Sequence, residues 1–275
     1  MAEIKIVLLS NIGGGKSTLL DNVEAKKTGL DLLPLLSMPG ELKVRRESPR
    51  TLGIVDKFFY PTFFMQQNDI TFQTGNQRFP SIQTTKSDLL FMSEVAILRS
   101  TAQEEREDMR QGGIIFRERC VYDMRYVFVK NLVKSGLLLP EQFDDYCTIF
   151  DSLVSSLTPP DLFIYLHTSP DIAFNRRREQ VKTGGGLASE QGLTEAYVAE
   201  IHALYERLVD VILPQLIPDF RDRCLIIDAN KDFSPEELEK FHRYIEQRAK
   251  KILLQRGING NARRDKEEPR KPSVE

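Results

Sequence analysis

Four short apolar runs punctuate the chain: residues 4–9, broken only by Lys5, then 114–116, 162–166 and 225–227. Continuous apolar runs of this length suit strands buried on both faces, as in a parallel sheet. Between them, residues 89–106 and 193–216 carry apolar side chains at helical spacing. Strands alternating with helices predict an α/β layered domain. Two helix starts are well marked. Ser169-Pro170-Asp171 offers an N-cap, a proline at the first helical position and an acid in the first turn, and Ser234-Pro235-Glu236-Glu237 repeats this with Glu237 placed for a capping box. The last helix is expected to run from Pro235 to about Leu254. After Arg256 the chain turns Gly-, Asn-, Arg-, Lys-, Glu- and Pro-rich. Residues 257–275 have little to bury and are expected to be disordered, leaving 1–256 as a single domain.

Composition narrows the function. Of the 275 residues 41% are hydrophobic and 28% charged, enough to bury a sizeable core. A formal net charge of −2 argues against a nucleic-acid or anionic-membrane partner held by bulk charge. Cys120, Cys147 and Cys224 are few, odd in number and far apart, so neither a disulfide framework nor a zinc pattern follows. The apolar runs are too short to span a bilayer. The chain enters a strand almost at once, which leaves no room for a leader, and a reducing cytosolic location is expected.

The chemistry begins at Ser10-Asn11-Ile12-Gly13-Gly14-Gly15-Lys16-Ser17-Thr18. The end of this stretch fits the phosphate-loop pattern of Gly, four residues and Gly-Lys-Ser/Thr. A buried strand precedes it and a helical pattern follows. Glycines let backbone N–H groups turn inward onto phosphate oxygens, and a helix N-terminus adds its dipole. Lys16 is expected to reach the β- and γ-phosphates of ATP, and the Ser17 hydroxyl to meet Mg²⁺. Ser10 stands where glycine is usual and is expected to cost some conformational ease.

A second cluster, Arg117-Glu118-Arg119, lies just past the 114–116 run. In an open α/β sheet ligands sit beyond the carboxyl ends of the strands, so Glu118 and Arg119 should face the same crevice as Lys16. The run Glu118-Arg119-Cys120-Val121-Tyr122-Asp123-Met124-Arg125-Tyr126-Val127-Phe128 resembles the Glu-Arg-Ser motif of the deoxynucleoside kinase family. Residues 161–170 with the arginines after them, and Cys224-Leu225-Ile226-Ile227-Asp228-Ala229, resemble its later strands. The resemblance covers residues 4–241 in order.

It implies a five-stranded parallel sheet flanked by helices, of the P-loop nucleoside kinase type, with a helical lid at about 175–192. It implies transfer of the ATP γ-phosphate to the 5′-OH of a deoxynucleoside. By position, Arg119 would hold the 5′ end and the developing phosphate charge, with Glu118 close to Mg²⁺. Gln67, or failing it Gln66, would read the base edge. Tyr60, with Phe59 as alternative, would touch the sugar, Met124 would line the base, and Glu190 would bind the 3′-OH. Arg176, Arg178 and Lys182 fall on the lid's cationic pattern, and Gly184-Gly185-Gly186 suits a hinge. Asp228 and Ala229 would lie near the ATP base. Family likeness also implies a homodimer through helices such as 89–106 and 122–137.

One departure bears on catalysis. Members of the family carry a Glu-Pro pair and then a tryptophan after the second strand, the glutamate accepting the 5′-OH proton. Aligned on Pro39, this chain has Met38 at the acid's position and no tryptophan. Glu41 is the nearest substitute, and Glu118 the next. The positions that would pair an arginine and an aspartate over the base are Thr74 and Met124, which leans towards thymidine or broad pyrimidine use, with Asp123 one residue early. Two other readings stay open: a nucleoside monophosphate kinase with a basic pocket near Arg45, Arg46 or Arg50, and a kinase-like subunit that binds nucleotide without turnover.

Overall fold

The computed structural model describes residues 2–26, 41–73, 81–184 and 188–267. β1 (Ala2–Ser10) runs into α1 (Lys16–Lys26). β2 (Glu41–Arg45) precedes a nearly continuous helical passage: α2 (Pro49–Ile54), a wide π-type turn (Val55–Phe59) and α3 (Tyr60–Phe64). The antiparallel hairpin β3 (Asp69–Gln73) and β4 (Ser81–Thr85) leads to the long α4 (Lys86–Gln111). β5 (Gly113–Glu118) is followed by α5 (Val121–Asp123), a π-type stretch (Met124–Val129) and α6 (Lys130–Lys134). Next come α7 (Pro140–Val154), β6 (Leu162–His167) and α8 (Pro170–Lys182). A 3₁₀ turn (Ala188–Gly192) opens onto α9 (Glu195–Arg207), which continues through a π-type stretch into α10 (Leu213–Leu216). α11 (Phe220–Arg223), β7 (Cys224–Asp228) and α12 (Pro235–Glu267) end the described chain.

The large sheet has the order β2-β5-β1-β6-β7, and every pairing in it is parallel. The central strands are apolar on both sides because both sides are covered. Ile4, Ile6 and Leu8 pack with α1 and α12 residues such as Leu19, Leu20 and Ile245. Val7 and Leu9 face the other way, towards Leu98, Val121, Ile201 and Tyr205. Lys5 breaks the apolar run yet is buried. Its ammonium pairs with Glu105 of α4, and its backbone N–H donates to Asp161 at 2.8 Å. The alternating strands and helices and the Ser234–Glu237 capping box therefore stand as the sequence predicts, and three of the four apolar runs are buried strands; the fourth, 225–227, lies in the edge strand β7, where Ile226 is 57% exposed.

Three details differ from expectation. β2 begins at Glu41, downstream of the Pro39 on which the alignment was anchored; Met38, Pro39 and Thr74 lie outside the described residues. α12 continues to Glu267, well past Leu254 and into the stretch expected to be disordered. Of the two helical stretches expected to pair copies of the chain, 122–137 puts Val127, Val129, Asn131 and Leu132 into the chain's own interior, whereas α4 leaves Met92 62% exposed.

Candidate active site

The parallel register brings Ser10, Arg45, Glu118, His167 and Asp228 to one edge of the sheet, the carboxyl ends of its strands. The phosphate loop leaves β1 there. Gly13 and Gly15 take φ of 77° and 89°, whereas Ser10 is not among the positive-φ residues. Serine at the first position thus carries no left-handed strain, contrary to expectation. Its hydroxyl donates to the Asn11 carbonyl at 2.9 Å and fills the space beside Gly14, where a Cβ would lie 1.9 Å from it. A Cβ on Gly13 would come within 2.2 Å of the Ala173 carbonyl on α8. The Asn11 amide donates to the Val198 carbonyl on α9 at 2.9 Å, tying the loop to both lid-side helices.

Lys16 opens α1 and is buried. Its ammonium donates to the carbonyls of Ser10 (3.2 Å) and Asn11 (3.1 Å), so it is parked over the loop. Burial, then the Arg119 charge, pushes its pKa down to about 8. A cation whose charge is uncomfortable in this setting is one that an anionic phosphate would stabilise.

Arg119 is the hub of the site. It follows β5 in a left-handed conformation, φ 63°, fixed by its N–H donating to the Leu8 carbonyl at 3.2 Å. Non-glycine residues held this way concentrate at functional sites. Its guanidinium pairs with Glu47, donates to the Tyr205 hydroxyl at 3.0 Å and lies 4.6 Å from the centre of the Phe128 ring. Tyr205 in turn donates to Asp123 at 2.8 Å, and Cys120 donates to the other Asp123 oxygen. Asp123 is therefore a buried strut beneath Arg119.

Three cavities meet along this edge. The first is bounded by the three loop glycines, Arg176, Ala229 and Phe233. Arg176 donates to the Ala229 carbonyl at 2.7 Å and holds the strand-end loop in place; Asp228 braces the same loop by accepting from the Asn230 N–H and side-chain amide. The second holds Ile12, the glycines, Lys16, Ser17 and Thr18 on one wall and Glu47, Glu118, Arg119, Arg177 and Glu190 on the other. The third is an aromatic cleft with Phe59, Tyr60, Glu94, Met124, Phe128 and Tyr197 in its wall. Glu47, Arg119 and Glu190 belong to both the second and the third, so these two are joined.

Most residues singled out in the sequence converge here: the loop, Glu118, Arg119, Tyr60, Met124, Glu190 and Ala229. Three do not. Glu41 starts β2, paired with Gly113 at the amino end of the sheet, with its side chain 80% exposed beside Lys43. Gln67 is exposed in the loop between α3 and β3 and is not among the residues lining the cleft. Arg178 lies over the Phe174 ring, 6.0 Å from its centre, and it is Arg177 that reaches the phosphate crevice and pairs with Glu190. Glu47, Glu94, Arg177 and Tyr197 were missed. Glu47 had a readable signal: the run Glu47-Ser48-Pro49 also brings an acid and a proline together after a strand.

A family model described as deoxynucleoside kinase matches residues 84–253, more than half of the chain. The chain belongs to the deoxynucleoside kinase family. Among family relatives, deoxycytidine kinase 2 of Gallus gallus is 26% identical over 256 residues, spanning 86% of each chain. Deoxyadenosine kinase of Dictyostelium discoideum is 31% identical over 112 residues, 39% of this chain and 44% of that protein. Against several of these curated relatives the chain spans about half of their length. Among solved structures, deoxyadenosine kinase from M. mycoides with bound dATP superposes with a TM-score of 0.61 at 16% identity, over 88% of this chain and 98% of that one. That likeness carries the family's fold: a five-stranded parallel sheet flanked by helices.

Proposed function

We propose that the chain transfers the γ-phosphate of ATP to the 5′-OH of a deoxynucleoside. The observation that carries this reading is the shared wall of Glu47, Arg119 and Glu190 between the phosphate crevice and the aromatic cleft. A donor lying along the loop and an acceptor in the cleft would meet at that wall. The cleft's Phe59, Tyr60 and Phe128 offer flat apolar faces for a base, and Glu190 and Tyr60 offer polar groups for a sugar.

In this reading Glu47 is the general base. It stands just beyond β2, already paired with Arg119, within the crevice that holds Lys16. Taking the 5′-OH proton leaves an alkoxide-like oxygen to attack, and Arg119, Lys16 and Arg177 offset the charge that develops on the transferring group. Ser17 and Glu118 supply a hydroxyl and a carboxylate to the same crevice, oxygen donors that fit Mg²⁺. When bound with the nucleotide, the ion would offset the negative charge of the phosphates. Arg177 would leave Glu190 for the phosphates on lid closure, freeing that acid for the sugar.

The two rival readings find less support. A monophosphate acceptor needs free cations near β2; Arg45 donates to Asp108 at 2.8 Å, Arg46 reaches the phosphate crevice but is held by Asp21 at 2.7 Å and by Glu24, and the Arg50 side chain lies outside the described residues. The case for a turnover-less subunit rested on Met38, and Glu47 supplies the acid that Met38 lacks. The test is ADP release from ATP–Mg²⁺ with each of the four deoxynucleosides and, separately, their monophosphates. Turnover with deoxynucleosides is expected. Turnover only with monophosphates would move the assignment to the first rival, and none at all, with ATP still bound, to the second.

A further inference from the structure

The wall of the aromatic cleft holds a buried acid, one of whose oxygens the described contacts leave unanswered. Glu94 is on α4, 2% exposed, and its Oε2 has no hydrogen-bond partner. Its neighbours along the helix, Leu90, Phe91, Ile97 and Leu98, are apolar. A buried carboxyl without a partner is costly to keep, and such groups mark sites where something else completes the bonding. The cleft it lines, with Tyr60 and Met124 in the same wall, is the one assigned above to the acceptor.

We propose that Glu94 is the base-reading residue of this cleft, its carboxylic O–H donating to an acceptor on the hydrogen-bonding edge of the base while its carbonyl oxygen accepts from the adjacent amino or imino N–H. The inference rests on the assignment of the cleft to a deoxynucleoside. Burial pushes the Glu94 carboxyl up to about 8, so near pH 7 it is a neutral acid with one donor and one acceptor. That is the pairing an amide would offer, and it suits the ring-nitrogen and amino edges of cytosine and adenine. The titratable and charged groups around it are few. Tyr146 from α7 and Tyr197 from α9 are both held far above the range where they would ionise near neutrality, chiefly by burial, and Glu94 adds to each. Tyr60 from α3 is likewise raised by burial. Glu47, Arg119 and Glu190 stand at the mouth of the cleft. The first and last are acids, and Arg119 is engaged by Glu47, so among the described residues of the cleft wall no free cation stabilises an ionised Glu94. The Tyr146 hydroxyl is also buried and unpartnered, which makes a purely structural acid the competing explanation.

Ionisation removes the donor. Both oxygens then repel the ring-nitrogen lone pair of cytosine or adenine, so the Michaelis constant for deoxycytidine and deoxyadenosine should rise with pH. Neither nucleoside titrates between pH 7 and 9. If only the neutral acid binds, the wild-type KM for both rises roughly tenfold over that interval. Glu94→Gln keeps a donor and an acceptor at every pH, and its KM should change less than twofold over the same interval. Glu94→Leu should raise KM by roughly ten- to a hundredfold while kcat changes little. A structural acid would shift thermal stability without a KM profile that glutamine abolishes. The inference is overturned if wild type and Glu94→Gln share one KM–pH profile, if the wild-type KM is flat to pH 9, or if Glu94→Leu binds nucleosides as well as wild type. Lys16 also loses its charge near pH 8, so should the variants not fold the wild-type profile is read beside the KM for ATP: a rise confined to the nucleoside supports the inference, and a flat nucleoside KM, or one that only follows the KM for ATP, overturns it. Failure of the wild-type chain to phosphorylate any deoxynucleoside would instead overturn the assignment of the cleft, and this inference with it.

Discussion

Ser10 and Gly14 are complementary. The serine hydroxyl occupies the volume that a side chain at Gly14 would need, and Ser10 itself stays in ordinary strand conformation. Gly14→Ala should therefore push against Ser10 and the Asn11 carbonyl, which lies 3.0 Å from the added Cβ. The expected result is at least a tenfold rise in KM for ATP, read from initial rates. Adding Ser10→Gly should recover part of the loss, since one of the two clashes is removed; no recovery would show that the serine is not what excludes a side chain there. At this scale the sequence was most legible where chemistry is local. Gly15-Lys16-Ser17 sits in a contiguous motif whose spacing points to phosphate binding, and Glu118-Arg119 in a contiguous run whose likeness to the family motif singles it out. Glu94 and Tyr197 lie on helices whose apolar periodicity conceals which position turns into a cavity. Arg177 stands among three consecutive arginines, and only the pitch of α8 against the loop decides which one faces the phosphates.

Among the elements, β2 was the least legible and the most consequential. It is an edge strand, paired only with β5, and its Glu41-Leu42-Lys43-Val44-Arg45 sequence alternates instead of forming an apolar run. A search for doubly buried strands passes over such a segment. Once it is missed, the acid that follows it is sought in the wrong place, which is why Glu41 stood in for Glu47. α4 is the opposite case, readable along most of its length but with an unforeseen duty. Its acids anchor the strands beside it: Glu105 pairs with buried Lys5 and accepts from the Val121 N–H at 3.0 Å, and Asp108 with Glu104 binds buried Arg117. The Lys5 in the first apolar run is thus a tie between β1 and α4. Breaking a buried pair from one side leaves the other charge stranded, at a cost of about 3–5 kcal/mol. Glu105→Ala should lose stability of that order in urea unfolding, and should also loosen the turn that carries Arg119. A loss below about 1 kcal/mol would mean that Lys5 finds water or another acceptor.

Across the whole molecule, parallel pairing does the assembling. Five strand ends point the same way, so residues far apart in sequence meet at one edge: Lys16 after β1, Glu47 after β2, Arg119 after β5, Arg177 from α8 and Glu190 from the 3₁₀ turn. The order of the strands makes a crevice at the phosphate loop with a glycine-lined cavity on one side and an aromatic cleft on the other. The central claim is that chemistry happens where crevice and cleft share Glu47 and Arg119. It is tested most directly by the turnover of Glu47→Gln beside Glu41→Gln with ATP–Mg²⁺ and a deoxynucleoside that the wild type accepts. The account predicts that Glu47→Gln lowers kcat by roughly 10²- to 10⁴-fold with ATP affinity little changed, while Glu41→Gln matches the wild type. Full activity in Glu47→Gln, or a comparable loss in Glu41→Gln, would contradict it.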